Sequence, residues 1–415
     1  MVDANQTFII VGAGLAGAKA AETLRAEGFT GRVILIGDER DHPYERPPLS
    51  KGYLLGKEER DSVFVHKPSW YAGADIELHL GQPAVHLDRE AKTVRLGDGT
   101  LMHYDKLLLA TGAEPRRLDI PGTGLAGVHH LRRLAHADLL RKALTSLGRD
   151  NGHLLIAGAG WIGLEVAAAA RGYGAEVTVV EPLATPLHAV LGPEVGRLFT
   201  DLHAEHGVRF HFGARLTEIV GQDGMVMAAR TDDGEEHPAH AVLAAIGAAP
   251  RTALAETSGL ALVDREHGGG IAVDASLRTS DPDVFAVGDV AAAHHPALGT
   301  RLRVEHWANA LNGGPGRRAG DAGAGGLVRA GAVLLLRPVR RGPGVLRLRP
   351  GGRLRPGAGA RGRGQAGVHR VLAVGRPGAG RDERERVGRR RTHPGPDQVE
   401  GAGGPRATGG SVGSA

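Results

Sequence analysis

A glycine-rich turn between a buried strand and a helix limits the fold of this chain more than any other feature of its sequence. Apolar residues 8–11 precede Gly12, Gly14 and Gly17, which form the pattern GxGxxG, and residues 18–25 have a helical pattern. In such a turn the backbone approaches a pyrophosphate closely, and the free N–H groups of the helix N-terminus favour its negative charge. The stretch therefore predicts a Rossmann-like dinucleotide-binding fold.

The same pattern returns in the middle of the chain. An apolar strand at 153–157 leads into a second turn with Gly158, Gly160 and Gly163, and a helix is expected at 164–171. Two copies predict an α/β chain with two Rossmann-like domains, and therefore two bound dinucleotides.

Each turn is followed by a second apolar strand that ends in a carboxylate. Asp38 lies 21 residues beyond Gly17, and Glu181 lies 18 residues beyond Gly163. A carboxylate at this distance can accept hydrogen bonds from an adenosine ribose. At the second site a carboxylate suits a free 2′-hydroxyl and repels a 2′-phosphate, so Glu181 favours NADH over NADPH.

Three further apolar strands end in small or acidic residues, where a ligand can approach the backbone. These strand ends are Thr111 with Gly112, Gly247, and Gly288 with Asp289. A helix-capping role for Asp289 is the structural alternative.

A proline-stiffened loop, PYERPPLSK, occupies residues 43–51 and ends at Lys51. We expect a helix to begin at Ser50. From the loop alone, Lys51 is interpreted as a solvated surface lysine.

The composition excludes several kinds of site and segment. A chain of 415 residues suits two or three domains, and it contains no cysteine, so disulfides, thiolate metal sites and a redox-active cysteine pair are ruled out. We find no signal peptide or membrane span in the sequence and expect a cytoplasmic protein. Adjacent histidines such as His129–His130 and His294–His295 lack matched carboxylate or thiolate ligands, so no metal site is expected.

Eight motifs in order give the chain a family resemblance from about residue 7 to residue 312. They are GAGLAG, PYERPPLSK, LLLATGAEPRRL, GAGWIGLEVA, VVE, AAIGAAP, LRTSDPDVFAVGDVA and VEHWANALN. In this order and spacing they resemble the FAD-dependent NAD(P)H:ferredoxin reductases that serve ring-hydroxylating dioxygenases, bacterial P450 systems and rubredoxin, with a glutathione-reductase-like fold.

The resemblance implies roles for individual residues. The first turn, with Leu15 and Ala16, and Asp38 would hold the FAD pyrophosphate and ribose, and Lys51 would lie beside the flavin ring. The further FAD contacts that it implies are Ala84, Arg132, Asp289 and Trp307.

For the second nucleotide, the resemblance implies that Ile162 with the second glycine turn and Glu181 bind NADH. Glu165 would lie between nicotinamide and flavin and pair with Lys51, although in isolation it is interpreted as a solvated helix carboxylate. With no cysteine pair in the chain, the electrons would pass from the flavin to a ferredoxin-type iron–sulfur protein outside it.

The resemblance also implies the domain limits. Residues 1–115 and 246–312 would form a discontinuous FAD-binding domain, and residues 116–245 would form the NAD-binding domain. Residues 313–415 occupy the place of the family's C-terminal domain.

This last segment differs in composition from the rest of the chain. It contains 21 arginines, no lysine, six acidic residues and no aromatic residue, whereas residues 1–312 have a net charge of −10. Such a composition predicts disorder. If suitable codons are chosen for residues 333–340 and the reading frame is moved by one base, the encoded peptide is YFFSDQY, which resembles the family's C-terminal domain. The same shift applied to residues 368–389 also gives a peptide that resembles that domain. We therefore hypothesise a change of coding frame near residues 312–316.

Other functions remain open from the sequence. The chain could be another FAD and NADH oxidoreductase, linked to rubredoxin or nitrite reduction, or a nucleotide-binding protein inactivated by the altered C-terminus. Nucleic-acid binding by the basic tail is the least favoured interpretation, because the tail has arginine without lysine.

Overall fold

The computed structural model describes residues 5–295 and 298–313. The helices are α1 (Leu15–Ala26), α2 (Pro68–Gly73), α3 (Leu134–Arg149), α4 (Trp161–Tyr173), α5 (His188–Glu205), α6 (Ala253–Thr257) and α7 (Trp307–Gly313). The strands are β1 (Thr7–Val11), β2 (Arg32–Gly37), β3 (Ile76–Leu80), β4 (Ala84–Asp88), β5 (Thr93–Leu96), β6 (Leu101–His103), β7 (Lys106–Leu109), β8 (Ala113–Pro115), β9 (Val128–His129), β10 (His153–Ala157), β11 (Glu176–Glu181), β12 (Val208–Phe212), β13 (Leu216–Gln222), β14 (Met225–Thr231), β15 (Glu236–Pro238), β16 (Ala241–Ala244), β17 (Ala248–Pro250), β18 (Ile271–Val273), β19 (Val284–Ala286), β20 (Ala291–His295) and β21 (Thr300–Arg303).

Two five-stranded parallel sheets form the framework. The first has the strand order β19–β7–β1–β2–β3, and the second has the order β12–β11–β10–β16–β9. In each sheet a glycine turn connects a central strand, β1 or β10, to a helix, α1 or α4. The prediction of an α/β fold with two Rossmann-like units is confirmed.

Both faces of each parallel sheet are covered, which explains why the central strands are apolar throughout rather than alternating. In the first sheet, Ile9 and Ile34 belong to the apolar cluster on one face, and Ile10 and Leu35 belong to the cluster on the other. The central strands of the second sheet divide in the same way between two clusters.

Smaller sheets are added to this framework. Strands β4–β5–β6 form an antiparallel sheet, with Asp98 and Gly99 in the turn between β5 and β6, and β13–β14–β15 is a second antiparallel sheet. Strands β18, β20 and β21 form a third small sheet of mixed direction.

The chain passes from the first parallel sheet to the second and back again. Strand β8 lies on the outward segment and β17 on the return segment, and the two pair antiparallel, with Ala248 opposite Pro115. The described residues all belong to one compact unit. Because both crossings meet at this strand pair, we propose that the FAD-binding part comprises 1–115 and 246–312 and the NAD-binding part comprises 116–245.

Two other predictions concern the C-terminal segment and membrane spans. The predicted disorder and frame change of the C-terminal segment lie outside the described residues, except for Gly313 at the end of α7. Within the part of the chain that the structure describes, no helix has the length and apolar character to cross a bilayer.

Candidate functional site

The first glycine turn is held by close backbone packing. Gly12 has φ +120°, and a Cβ atom there would lie 2.1 Å from the carbonyl oxygen of Ala110. A Cβ at Gly17 would lie 2.0 Å from the carbonyl oxygen of Gly12. A Cβ at Gly14, in contrast, would contact nothing within 4 Å, so packing does not explain that glycine.

The second turn repeats this arrangement. Gly158 has φ +100°, and its Cβ would lie 2.6 Å from the Ala245 carbonyl oxygen, while a Cβ at Gly163 would lie 2.1 Å from the Gly158 oxygen. Gly160 again borders open space. Gly14 and Gly160 are the N-cap residues of α1 and α4, and neither N-cap has a side-chain hydrogen bond. Both turns thus present open backbone at a helix N-terminus, which fits a pyrophosphate group.

Two cavities adjoin these turns. The first has a volume of about 320 Å³ and the second of about 860 Å³, both in the range of ligand sites. Predicted residues that line the first cavity are Gly12, Gly14, Leu15, Ala16, Asp38, Lys51, Thr111, Gly112, Arg132, Ile162, Glu165, Gly288, Asp289 and Trp307. Those that line the second are Gly158, Gly160, Ile162, Glu181, Gly247 and Arg132.

Three predicted residues lie apart from the two main cavities. Ala84, at the start of β4, lines a smaller cavity that also contacts Asp38 and Thr111. Gly17 and Gly163 line none of these cavities, because each packs against the carbonyl of the first glycine of its own turn. Their role is to bring the helix close to the strand.

Lys51 and Glu165 form an ion pair that connects the two parts of the chain. The Lys51 Nζ lies 2.8 Å from Glu165 Oε1, and the Ser50 hydroxyl donates to Glu165 Oε2 at 2.5 Å. Glu165 is on α4, whereas Lys51 follows a short 3-10 helix, Pro47–Ser50, in the proline-rich loop. The prediction that a helix begins at Ser50 is wrong: the helix ends there, since Pro47 and Pro48 favour its first turn.

Arg132 and Asp289 form a second ion pair inside the first cavity. Arg132 Nη2 lies 2.6 Å from Asp289 Oδ2, and Arg132 Nε donates to the Ala113 carbonyl at 3.1 Å. Burial, and then the neighbouring Arg46 charge, lower the pKa of Arg132 against the opposing effect of Asp289. Asp289 lies in a short 3-10 helix, Gly288–Val290.

The two strand-end carboxylates have different partners. Asp38 Oδ2 lies 2.7 Å from Arg133 Nη2 and 3.0 Å from Arg251 Nη2. Burial would raise the pKa of Asp38, but the charges of Arg251 and Arg133 outweigh burial and lower it. Glu181 instead accepts hydrogen bonds from the backbone N–H groups of Ala159 and Leu183, at 2.7 and 3.0 Å.

Several cavity residues were absent from the sequence-based prediction. Arg46 and Ser50 lie inside the quoted PYERPPLSK loop, and Arg133 is adjacent to the predicted Arg132, so their place in the sequence could have indicated them. Trp161 also lines the first cavity and lies inside the quoted GAGWIGLEVA motif, so the motif could have indicated it as well. Arg251 lines the same cavity, and no sequence signal identified it.

Comparison with known proteins identifies the family. Residues 6–314 match the family described as pyridine nucleotide-disulphide oxidoreductase. The chain belongs to this family. Among individual members, rhodocoxin reductase from Rhodococcus erythropolis is 40% identical over 306 residues, covering 74% of this chain and 70% of that protein. Putidaredoxin reductase from Pseudomonas putida is 38% identical over 316 residues, covering 75% and 72%.

Solved structures agree with this membership of the pyridine nucleotide-disulphide oxidoreductases. The ferredoxin reductase of the CYP199A2 system from Rhodopseudomonas palustris is 38% identical, with a TM-score of 0.70 over 75% of this chain and 74% of that one. The covalent complex of putidaredoxin reductase with putidaredoxin is 36% identical, with a TM-score of 0.71 over 75% and 74%.

Proposed function

We propose that this chain is an NADH-dependent, FAD-containing ferredoxin reductase. The observation that supports this most directly is the pair of adjoining cavities, each built on a glycine turn whose middle glycine is open to a ligand. The two cavities share wall residues, including Ser50, Arg132 and Ile162, so two ligands bound in them would meet.

FAD is assigned to the first cavity. The residues proposed to hold it are Gly12, Gly14, Leu15, Ala16, Asp38, Lys51, Ala84, Thr111, Gly112, Arg132, Gly288, Asp289 and Trp307, with Gly17 packed behind the turn. The open backbone of the first turn suits the pyrophosphate, and Asp38 suits the ribose hydroxyls. Arg132 and Asp289 fix each other in the cavity wall, so both polar groups keep one orientation toward a ligand.

NADH is assigned to the second cavity, with Gly158, Gly160, Ile162, Glu181 and Gly247 as its proposed contacts and Gly163 packed behind the turn. The carboxylate of Glu181 keeps acceptor positions beyond those used by its two backbone donors, since a carboxylate has about four. It therefore favours the hydroxyl of NADH over the phosphate of NADPH.

Bound in the first cavity, FAD would supply hydride acceptance from NADH and one-electron release to an acceptor. The protein's own contribution is alignment and exclusion of water. Glu165, which also accepts from the Ser50 hydroxyl, holds the Lys51 ammonium in the wall of the first cavity, next to Ser50, a residue that lines both cavities. We propose Lys51 and Glu165 as the catalytic pair. Trp307 and Ile162 add apolar surface to the same cavity wall.

We infer that the electron acceptor is a ferredoxin-type iron–sulfur protein. The support is similarity to proteins named rhodocoxin reductase, putidaredoxin reductase and the ferredoxin–NAD(+) reductase component of an anthranilate dioxygenase system. We place the reaction in the cytoplasm, where NADH is supplied.

The test of this proposal uses Lys51→Ala. The matched control is Lys57→Ala, six residues further along the chain, because Lys57 is exposed and lines neither cavity. Purified protein should be yellow, be bleached by NADH without oxygen, and reduce cytochrome c only when a ferredoxin is added. Loss of a charge-assisted contact of about 1.5–3 kcal/mol should slow flavin reduction by at least about tenfold in Lys51→Ala. Lys57→Ala should behave as the wild type.

Two results would contradict the proposal in different ways. Protein that does not bind FAD refutes the cofactor assignment. Protein that binds FAD but is not bleached by NADH is a nucleotide-binding protein without turnover. Equal single-turnover rates in the two lysine variants would remove Lys51 from the catalytic pair.

A further inference from the structure

A group of histidine and acidic side chains lies on the second sheet, separate from the residues of the two cavities. His211 is on β12, Glu235 is in the turn that follows β14, and His237 is on β15. One potential ligand atom from each of the three lies within 4.8 Å of the others. We call these three residues the His211 cluster.

Hydrogen bonds set the tautomer of His211 within the cluster. Its Nε2 lies 2.7 Å from Asp233 Oδ2, and an ionised carboxylate only accepts, so Nε2 is the protonated nitrogen. In the neutral imidazole, the form that binds a metal, the lone pair is then on Nδ1, which lies 3.6 Å from Glu235 Oε2. A histidine whose second nitrogen donates to a carboxylate is the usual arrangement of a metal ligand.

His237 has the corresponding arrangement. Its Nε2 lies 3.4 Å from Thr231 Oγ1, and the Thr231 hydroxyl donates to Asp233 Oδ1 at 2.6 Å. Because that proton is committed to Asp233, the Thr231 oxygen accepts from His237 Nε2. The Nδ1 of His237 is therefore also left with its lone pair, and Asp233 supports both imidazoles.

We propose that the His211 cluster binds one divalent transition-metal ion, with Zn²⁺ as the representative. Two neutral imidazoles and one carboxylate form a ligand set that suits Zn²⁺, Cu²⁺ or Ni²⁺ better than Mg²⁺ or Ca²⁺, which take oxygen ligands. Tetrahedral ligands at about 2.0–2.1 Å from zinc lie about 3.3 Å apart. The distance of 3.6 Å between His211 Nδ1 and Glu235 Oε2 requires only a small movement to reach this geometry.

The site would connect two sheets. Strand β12 is the edge strand of the second parallel sheet, and β15 belongs to the antiparallel sheet β13–β14–β15. His211 pairs with Val180, one residue before Glu181, and Phe212 pairs with Glu181. A bound ion would therefore stabilise the strand beside the proposed NADH site without contacting the cavities.

This inference departs from the expectation that the chain has no metal site. That expectation considered histidines adjacent in the sequence, whereas His211 and His237 are separated by 25 intervening residues. The strands bring them to a centroid distance of 4.7 Å.

The test is a calorimetric titration of the tag-free, FAD-loaded full chain with Zn²⁺. The variants are His211→Gln, His237→Gln and Asp233→Asn, and the control is His103→Gln, an exposed histidine on β6. Wild type and control should bind one equivalent, and Asp233→Asn should bind about 10- to 100-fold more weakly, as expected for loss of a supporting carboxylate. The two histidine variants should lose at least as much zinc affinity as Asp233→Asn.

Copper provides a second readout that a purely structural role would not produce. With one equivalent of Cu²⁺, the electron paramagnetic resonance spectrum should show coupling to two imidazole nitrogens, and to one in either histidine variant. Thermal unfolding without metal checks that each variant is folded. Equal zinc affinity in wild type and His211→Gln, or equal binding of Mg²⁺ and Zn²⁺, would overturn the proposal.

Discussion

Replacing Gly160 with alanine should impair NADH binding while leaving the fold intact. Gly160 has φ −76° and ψ −175°, a conformation that alanine adopts freely, and its Cβ would contact no protein atom. Gly160 lines the second cavity, to which NADH is assigned. The added methyl group would therefore collide with the bound pyrophosphate and would not disturb the packing of the protein.

The expected magnitudes follow from this geometry. Weaker helix capping should lower the free energy of unfolding by less than about 1 kcal/mol. If the methyl group displaces the pyrophosphate from one backbone donor, the loss of about 1.5–3 kcal/mol corresponds to a Kd for NADH about 10- to 150-fold higher. Flavin content should not change, because Gly160 does not line the first cavity.

Gly158→Ala is the matched control for packing. Gly158 has φ +100°, and its Cβ would lie 2.6 Å from the Ala245 carbonyl oxygen. Backbone strain and overpacking together should lower the free energy of unfolding by about 2 to 6 kcal/mol.

The assay is rapid-mixing measurement of flavin bleaching at a series of NADH concentrations, with thermal unfolding of each variant. The half-saturating NADH concentration should rise in Gly160→Ala at an unchanged melting temperature. A melting temperature as low as that of Gly158→Ala, or an unchanged half-saturating concentration, would refute the assignment of Gly160 to the ligand.

Two other changes test the second sheet. Glu181→Ala should lower the ratio of kcat/KM for NADH to kcat/KM for NADPH by about tenfold. The substitution removes a contact of at least about 1.4 kcal/mol and the charge that repels a 2′-phosphate. An unchanged ratio would mean that other residues set the specificity. Burial, with the Arg209 charge, lowers the pKa of His153 from 6.5 to about 4. The unfolded chain therefore binds a proton on His153 at higher pH than the folded chain, so this contribution to stability is complete above pH 6.5 and is lost as the pH falls toward 4. Urea unfolding across that pH range should show that the free energy of unfolding falls less steeply with pH in His153→Gln than in wild type. Equal slopes for the two proteins would contradict this.

The parts of the fold that could be predicted from the sequence are those fixed by local patterns. Apolar runs before the glycine turns predicted β1 and β10, because parallel strands covered on both faces need no polar positions. The predicted helices begin too late in the sequence. Helix α4 begins at Trp161 rather than at residue 164, because its first turn includes the end of the glycine motif. Local patterns do not show where a helix begins when glycine is the N-cap.

Contacts between distant segments could not be predicted from residue patterns alone. Asp38 is held by Arg133 and Arg251, which lie 95 and 213 residues further along the chain. The pairing of Lys51 with Glu165 was expected only through the family resemblance, and the structure confirms it at 2.8 Å. The donor role of Ser50 in that pair's network depends on the 3-10 helix, whose form the loop sequence did not indicate.

The two strand-end carboxylates show why an equivalent position in a motif does not imply an equivalent environment. Glu181 accepts only from backbone N–H groups of its own half of the fold, so its orientation is set before a ligand enters. Asp38 is oriented by two guanidinium groups, and its charge is balanced by theirs. Asp38 lines the cavity assigned to FAD, whereas Glu181 lines the cavity assigned to NADH, where its carboxylate would repel a 2′-phosphate. We therefore propose that Glu181 selects between NADH and NADPH, although the sequence places both acids at the same point of the same motif.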